Sequence, residues 1–229
     1  MTTLIIIPAR KGSIRLKKKN KKKFLGKPLI SHTIEFAKKL KFLNKIIIST
    51  DDPQILKIGK KYKVLVPWIR PKKISSSRSK SVSFTFHALN WFKKKSIKLN
   101  TVILLQPTSP FRSVRTINKM LDIYKKNKKS VVTVTKDLKE NKKILFIYKN
   151  KIINKLNKPT NKKIIPVNIV GNIYINNIQN LKKYKDFVNR DTAPYLIKNK
   201  KELVDIDTYE DFKNAKSLFK KNKKRLNFE

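Results

Sequence analysis

Residues 4–20 have the sequence LIIIPARKGSIRLKKKN, in which four apolar residues lead directly into a loop rich in arginine and lysine. The apolar run at 4–7 predicts a buried strand of an α/β sheet. Ligands of such sheets bind beyond the carboxyl ends of the strands, where a loop containing glycine can turn its N–H groups toward phosphate. The GxxxxGK[ST] spacing of a Walker A loop is absent. The stretch therefore indicates either a phosphate-binding loop of another kind or an ordinary basic loop.

Outside this stretch, short apolar runs alternate with segments of helical periodicity. The apolar runs predict further strands at 46–48, 64–66, 102–105, 131–135, 173–175 and 204–206. The periodic segments predict helices over 28–43, 53–62, 81–95, 113–127, 177–185 and 208–221, and a hairpin is predicted over 143–156. The alternation predicts one α/β domain over 1–229, with a mostly parallel sheet and helices on both faces. Residues 137–198 interrupt it and predict a small inserted lobe.

The composition excludes several classes of protein. The 229 residues contain no cysteine, which excludes disulfides, zinc sites with cysteine ligands and thiol nucleophiles, and the two histidines exclude a histidine-rich metal site. His32 and His87 are isolated in helical stretches, so we expect surface or packing roles for them. No apolar run approaches the roughly 20 residues of a membrane-spanning helix. The run at 4–7 is too short for a signal peptide and lacks a basic leader. We therefore expect a soluble, cytoplasmic protein without membrane contacts.

The chain is strongly basic, because it contains 58 lysine and arginine residues but only 14 acidic ones, which gives a formal net charge of +44. Such a charge permits the hypothesis of a protein that binds nucleic acid or another polyanion. However, lysine is spread along the whole chain together with much asparagine and isoleucine, which is typical of a coding bias. No recognition motif for nucleic acid is present, and aromatic residues do not alternate with the basic runs. The positions of the scarce acidic residues are therefore more informative.

Two further segments carry polar side chains at predicted strand ends. Residues 104–112, LLQPTSPFR, place Gln106, which has both a donor and an acceptor, in a loop stiffened by proline. Residues 204–212, VDIDTYEDF, place Asp205 and Asp207 on one face of a predicted strand, where they would suit Mg²⁺ that also contacts phosphates. Alternatively, Asp207 and Thr208 cap the last helix. Both interpretations of the acidic segment stay open.

Taken together, the motifs resemble the acylneuraminate cytidylyltransferase (CMP-sialic acid synthetase) family over essentially the whole chain. The matching pieces occur in the family's order and spacing, and no single piece would suffice. They are IIPARKGSIRLKKKN (6–20), FLGKPLISHTIEFA (24–37), IIISTDD (46–52), Arg70 with Pro71, LLQPTSPFR (104–112), GNIYI (171–175) and VDIDTYEDF (204–212).

This resemblance implies a Rossmann-like nucleotidyltransferase fold and a transfer reaction. CTP and an acidic 2-keto sugar would give a CMP-sugar and pyrophosphate, with Mg²⁺ as cofactor. The anomeric hydroxyl would attack the α-phosphorus in line. The acceptor would be a sialic, legionaminic or pseudaminic acid. The resemblance also implies a homodimer, with the lobe at 137–198 as its contact.

The resemblance further implies roles for individual residues. The catalytic residues would be Arg10, Lys19 and Asp207, with Asp205 and Asp207 as metal ligands. The substrate-binding residues would be Gln106, Lys162 and Tyr174. The nucleotide-binding residues would be Arg10, Gly12, Ser13, Arg15, Lys19, Asn20, Arg70, Ser79 and Ser81.

The chain departs from the family's pattern at a few positions. Ile14 stands where the family usually has lysine, and Ser77 stands where an aspartate is usual. Lys162 and Asn168 correspond to arginines on the sugar side of the site. The CTP half of the site therefore matches the family better than the sugar half. Two alternatives remain, a cytidylyltransferase for 3-deoxy-octulosonate and a polyanion-binding protein on a degenerate nucleotidyltransferase fold.

Overall fold

The computed structural model describes residues 2–40, 45–138, 143–148, 151–153 and 164–226. An eight-stranded mixed sheet forms the centre of the domain, and a two-stranded sheet lies apart from it. The strands are β1 (Thr3–Ala9), β2 (Lys23–Phe24), β3 (Lys27–Pro28), β4 (Lys45–Thr50), β5 (Thr101–Leu105), β6 (Ser130–Thr135), β7 (Leu145–Tyr148), β8 (Lys151–Ile153), β9 (Ile165–Asn177) and β10 (Thr192–Leu196). The helices are α1 (Leu29–Lys39), α2 (Pro53–Lys61), α3 (Ser81–Lys94), α4 (Val114–Asn127), α5 (Ile178–Tyr184) and α6 (Tyr209–Leu226).

The main sheet has the strand order β10-β6-β9-β5-β1-β4, and the β7–β8 hairpin is attached to β9. β1 pairs in parallel with both β4 and β5, and β10 pairs in parallel with β6. β9 runs antiparallel to both of its neighbours, β5 and β6. The predicted mostly parallel α/β sheet is thus confirmed, with β9 as an antiparallel strand at its centre.

Helices cover both faces of the sheet, as predicted. Alternate residues of a strand point to opposite faces, so Ile5 and Ile7 of β1 join one apolar cluster while Leu4 and Ile6 join another. Helices α1, α2 and α4 contribute to the first cluster, and α3 and α5 to the second. Helix α6 packs through Phe212 in a smaller cluster with Leu16 of the N-terminal loop. None of the helices in the described ranges is long and apolar enough to cross a bilayer.

Two predicted strands were wrong. Residues 64–66 form only one isolated bridge, from Leu65 to Ile47, because the segment is held to the edge of β4 at a single point. Residues 204–206 do not form a strand. The N–H of Ile206 donates instead to the carbonyl oxygen of Thr108, in the loop after β5, at 2.8 Å. β10 was not predicted, and β9 extends well beyond the predicted strand at 173–175.

The range 137–198, predicted as an inserted lobe, contains the β7–β8 hairpin together with β9 and β10. Because β9 lies between β5 and β6 and β10 lies at one edge, these two strands are part of the main sheet. The use of this range as a dimer contact stays a prediction. Lys162 lies outside the described residues.

Candidate active site

A cavity of about 460 Å³ lies at the carboxyl ends of β1 and β5. This is the edge at which ligands of open α/β sheets bind. Most of the residues predicted for the site line it together, although they come from distant parts of the chain. They are Arg10, Ser13, Arg15, Lys19, Asn20, Arg70, Ser79, Gln106 and Asp207.

The loop after β1 is held in place by hydrogen bonds to its backbone, and arginine and lysine side chains of the loop line the cavity. The Asn20 side chain is buried and donates from Nδ2 to the carbonyl oxygen of Arg10 at 3.2 Å. The N–H of Lys11 donates to Asp51 Oδ1 at 2.8 Å. A short 3-10 helix, Lys19–Lys21, follows Lys18, which has a left-handed φ of 57°. The loop is therefore tied at both ends.

Asp207 joins this loop to the start of α6. Its Oδ1 accepts from Lys19 Nζ and its Oδ2 from Arg15 Nη2, each at 2.6 Å. Within the described part of the chain, Asp207 is the one carboxylate that lines the cavity. The surrounding cations therefore outnumber it, and the cavity suits an anion.

The cap of α6 is made by other residues, so Asp207 is not needed for it. Asp211 Oδ2 accepts from the N–H groups of Asp207 and Thr208, at 3.0 and 2.8 Å. In return, the N–H of Asp211 donates to Thr208 Oγ1 at 3.1 Å. This reciprocal pair is a capping box, with aspartate in place of the usual glutamate. The predicted cap at Thr208 is thus confirmed, and the interpretation of Asp207 as part of the cap was wrong.

Arg70 is a buried cation at the wall of the cavity, and its side chain is 3% exposed. The backbone N–H of Arg70 donates to the carbonyl oxygen of Thr50 at 2.7 Å, and the guanidinium lies 5.2 Å from the centre of the Phe84 ring. Burial lowers the pKa of Arg70, while Asp51 acts to raise it and Arg10 to lower it. Arg10 and Arg70 thus place two guanidinium groups in the lining of the same cavity.

Hydroxyl and apolar residues that sequence reasoning did not assign complete the lining. Ser76 Oγ lies 2.9 Å from Ser79 Oγ, and both side chains face the cavity. Ile14, 74% exposed, also lines it. The remaining unassigned lining residues are Pro8, Leu16, Ile74, Ser77, Phe84, Pro107 and Thr108. The serine-rich composition of 75–81 was the one available signal, because hydroxyls suit hydrogen bonding to a nucleotide.

A second cavity, of about 430 Å³, contains two residues that were predicted for the nucleotide and sugar sites. Ser81 and Tyr174 line it. Lys80, Lys143, Lys185 and Asp186 supply its charges, and Val82, Leu104, Leu145, Ile169, Phe187 and Val188 its apolar surface. Burial raises the pKa of Tyr174, and Asp205 and Asp186 add to the effect, so the phenol keeps its proton.

Gly171 lies beside one lining residue of each cavity, Gln106 of the first and Tyr174 of the second. It has a left-handed φ of 78°, which favours glycine. A Cβ at this position would lie 3.0 Å from the Tyr174 hydroxyl and 3.8 Å from Gln106 Oε1. Gln106 of the first cavity and Tyr174 of the second therefore approach each other across this glycine.

Arg112 ties several elements together behind the site. It donates from Nε to the carbonyl oxygen of Asn172 at 2.9 Å, from Nη1 to Thr33 Oγ1 at 3.0 Å, and from Nη2 to the carbonyl oxygen of Gln106. Burial lowers the pKa of Arg112 to about 9, although Asp205 and Glu202 act in the opposite direction. Arg112 thus fixes the loop that carries Gln106.

A few predicted residues lie elsewhere. Gly12 and Asp205 are not among the lining residues of the first cavity, and Ser81 lines the second cavity rather than the first. Asp205 acts electrostatically on Arg112 and Tyr174. In the described ranges, no group of three or more histidine, cysteine or acidic residues is arranged to hold a metal ion.

Comparison with known proteins identifies the family of the chain. The family model described as cytidylyltransferase matches residues 4–228. The chain is 34% identical to the CMP-N,N'-diacetyllegionaminic acid synthase of Legionella pneumophila, covering 99% of this chain and all of that protein. It is 32% identical to the N-acylneuraminate cytidylyltransferase of Escherichia coli, covering 97% of this chain and 54% of that protein. The structure of CMP:2-keto-3-deoxy-manno-octonic acid synthetase complexed with CTP has a similar fold, with a TM-score of 0.73 at 17% identity, covering 97% of this chain and all of that one.

Proposed function

This chain belongs to the cytidylyltransferase family, and we propose that it joins CMP from CTP to an acidic 2-keto sugar of the sialic, legionaminic or pseudaminic acid type. The observation that carries the proposal is the first cavity, where Arg10, Arg15, Lys19 and Arg70 converge on one space with Asp207. The names of its relatives describe synthesis of CMP-sugars of this class, which supports the same reaction for this chain.

The first cavity supports binding of the CTP triphosphate. Arginine offers fixed paired donors to phosphate oxygens, and lysine offers a mobile charge. Asp207 holds Lys19 and Arg15 beside the cavity through its two carboxylate oxygens. Cations that are already in place stabilise the charge that develops on the phosphates during transfer.

In the proposed reaction, the anomeric hydroxyl oxygen of the sugar forms a bond to the α-phosphorus of CTP. The bond from that phosphorus to the bridging oxygen of the β-phosphate breaks, and pyrophosphate leaves with the electron pair. The hydroxyl proton passes to solvent. Alignment of the two reactants supplies much of the acceleration in such a reaction.

Asp207 fits the proposed Mg²⁺. Magnesium at nucleotide sites uses one or two carboxylates, phosphate oxygens and water, so a larger protein cage is not required. Asp207 lines the cavity, and its two oxygens contact Lys19 and Arg15, which line it as well. Asp205 is proposed as the second ligand, although it does not line the cavity. When bound, the metal would neutralise phosphate charge.

The second cavity supports binding of the acidic sugar. Lys80, Lys143 and Lys185 offer partners for its carboxylate, and the apolar surface offers contacts for acyl substituents. Gln106 and Tyr174, on the two sides of Gly171, would connect the sugar to the nucleotide. Because its pKa is raised, the Tyr174 hydroxyl can act as a hydrogen-bond donor.

We also propose a cytoplasmic homodimer that serves cell-surface polysaccharide synthesis. A CMP-sugar is a glycosyl donor, and its synthesis needs CTP, which is found in the cytoplasm. Leu138 and Ile144, both exposed and both within 137–198, provide apolar surface for a second copy. Light scattering on the wild-type chain and on Ile144→Asp tests the dimer, since the charge should shift the mass toward a monomer.

Product analysis tests the proposed reaction. The protein is incubated with CTP, Mg²⁺ and one sugar at a time: N-acetylneuraminic, diacetyllegionaminic, pseudaminic or 3-deoxy-octulosonic acid. Mass spectrometry should detect a CMP-sugar with a nine-carbon acid. Lys185→Met should raise KM for the sugar, whereas the control Lys128→Met, at an exposed position outside both cavities, should not. A product formed only from 3-deoxy-octulosonic acid would contradict the assignment.

A further inference from the structure

Asp51 links two parts of the first cavity that are distant in sequence. It directly follows β4, whose last residue, Thr50, pairs with Ala9 at the end of β1. Asp51 Oδ1 accepts from the N–H of Lys11 at 2.8 Å, and the same oxygen lies 3.6 Å from Nη2 of Arg70. One carboxylate oxygen thus contacts both the loop after β1 and the buried arginine.

The guanidinium of Arg70 depends on this carboxylate. Its Nε is buried and, in the described part of the chain, has no hydrogen-bond partner. The Phe84 ring beside it carries no charge, and Arg10 has the same sign of charge, so neither of them neutralises it. Removing one partner of a buried ion pair leaves the other charge uncompensated. Loss of the Asp51 charge would therefore leave the Arg70 guanidinium without this contact.

The neighbouring Asp52 has a different role, although the two carboxylates are adjacent in sequence. Asp52 Oδ1 accepts from the N–H of Gln54 at 2.9 Å, which caps α2, and Oδ2 lies 2.8 Å from Lys21 Nζ. Asp52 therefore stabilises the helix and the outer side of the loop. Asp51 alone of the two is directed to Arg70.

We propose that Asp51 is a positioning residue for the transfer, an inference that rests on the proposed function. Its carboxylate holds Arg70 and the turn at Lys11, so that Arg70 and Arg10 both face the phosphates of CTP. It does not touch the substrate itself. Loss of its charge should therefore weaken CTP binding and leave sugar binding intact.

The experiment compares Asp51→Asn with Asp122→Asn, which makes the same change in charge at an exposed position on α4. Asparagine keeps the shape of the side chain and an acceptor for the Lys11 N–H. We expect Asp51→Asn to raise the Kd for CTP, measured by calorimetry, about tenfold or more. KM for the sugar should stay unchanged, and Asp122→Asn should match the wild type in both quantities.

A merely structural role would give another pattern. Wild-type affinity for CTP in folded Asp51→Asn, or equal changes in both KM values, would overturn the inference. If asparagine prevents folding, Asp51→Glu decides, because its longer side chain displaces the carboxylate from Arg70. Weaker CTP binding by folded Asp51→Glu supports the inference, and unchanged binding overturns it.

The wild-type arm separates this inference from the proposed function. A wild-type chain that binds CTP but forms no CMP-sugar contradicts the proposed function, while the comparison of CTP affinities still tests Asp51. A wild-type chain that does not bind CTP would overturn both.

Discussion

The Asp207 carboxylate accepts a hydrogen bond from the Lys19 ammonium group at 2.6 Å, across a sequence separation of 188 residues. The contact joins the loop after the first strand to the start of the last helix. Packing supports it, because Phe212 of α6 and Leu16 of the loop belong to the same apolar cluster. The two ends of the domain therefore build one site.

Replacement of Asp207 by asparagine should abolish turnover without unfolding the protein. The charge that contacts Lys19 and Arg15 is lost, and so is the proposed metal ligand. The helix keeps its cap, because Thr208 and Asp211 make it. Pyrophosphate release and thermal unfolding measure the two effects.

Asp211→Asn is the matched control for this variant, with the same loss of charge four residues away. It weakens the capping box, so we expect it to lower the free energy of unfolding by about 1 kcal/mol. Turnover should remain. Retained turnover in Asp207→Asn would show that its carboxylate is not required.

Replacement of Lys19 by methionine should raise the Kd for CTP about tenfold or more, because a charge-assisted phosphate contact is lost. Calorimetry with CTP measures the change directly. Lys23→Met, at an exposed position in β2, makes the same substitution outside the cavity. Equal affinities of the two variants would contradict the role of Lys19.

Replacement of Ile14 by lysine should lower KM for CTP severalfold. Ile14 is 74% exposed and lines the cavity, so the new side chain can reach phosphate without a loss of core packing. Ile69→Lys adds a charge at an exposed position outside the cavity lining and serves as the control. An unchanged KM in Ile14→Lys would mean that this position does not contact the triphosphate.

Stability should fall as the pH drops below about 6.5. Burial lowers the pKa of His32 and His87 from their ordinary value of 6.5, so the unfolded chain binds protons before the folded chain does. The contribution of the two histidines to the free energy of unfolding is thus fully present above pH 6.5 and is lost as the pH falls below it. For Asp52, burial acts to raise the pKa, but contacts with Lys21 and Gln54 hold it below 3.8, so its contribution is lost only at lower pH.

Urea unfolding at about pH 7.5 and pH 5.5 measures this dependence around the histidine range. The double variant His32→Gln, His87→Gln removes both titrating groups. Its free energy of unfolding should change less between the two values than that of the wild type. An equal change would assign the acid sensitivity to other groups.

The elements that the sequence predicted well are those with strong local signals. Residues 102–105 are a continuous apolar run and form β5, and the N-cap at Asp52 with Pro53 marks the start of α2. β10 has the sequence TAPYL, and Pro194 weakens its strand signal. It forms because it pairs with β6, a long-range contact that no local pattern shows.

The same distinction applies to the site. The loop after β1 and Gln106 could be assigned because each follows a predictable strand, and Arg70 because of the family resemblance. Tyr174 lies beside Leu104 because β9 pairs with β5, and both residues line the second cavity together with Ser81. That pairing is antiparallel and long-range, so sequence reasoning could not place them.

Pyrophosphate release by the wild-type chain is the most direct measurement of the proposed reaction. The assay contains CTP, Mg²⁺ and a nine-carbon acidic keto sugar, and each component is omitted in turn. Cytidylyl transfer predicts release that requires both CTP and the sugar, with one sugar preferred. No release with any sugar from a folded chain that binds CTP, or equal release without sugar, would contradict it.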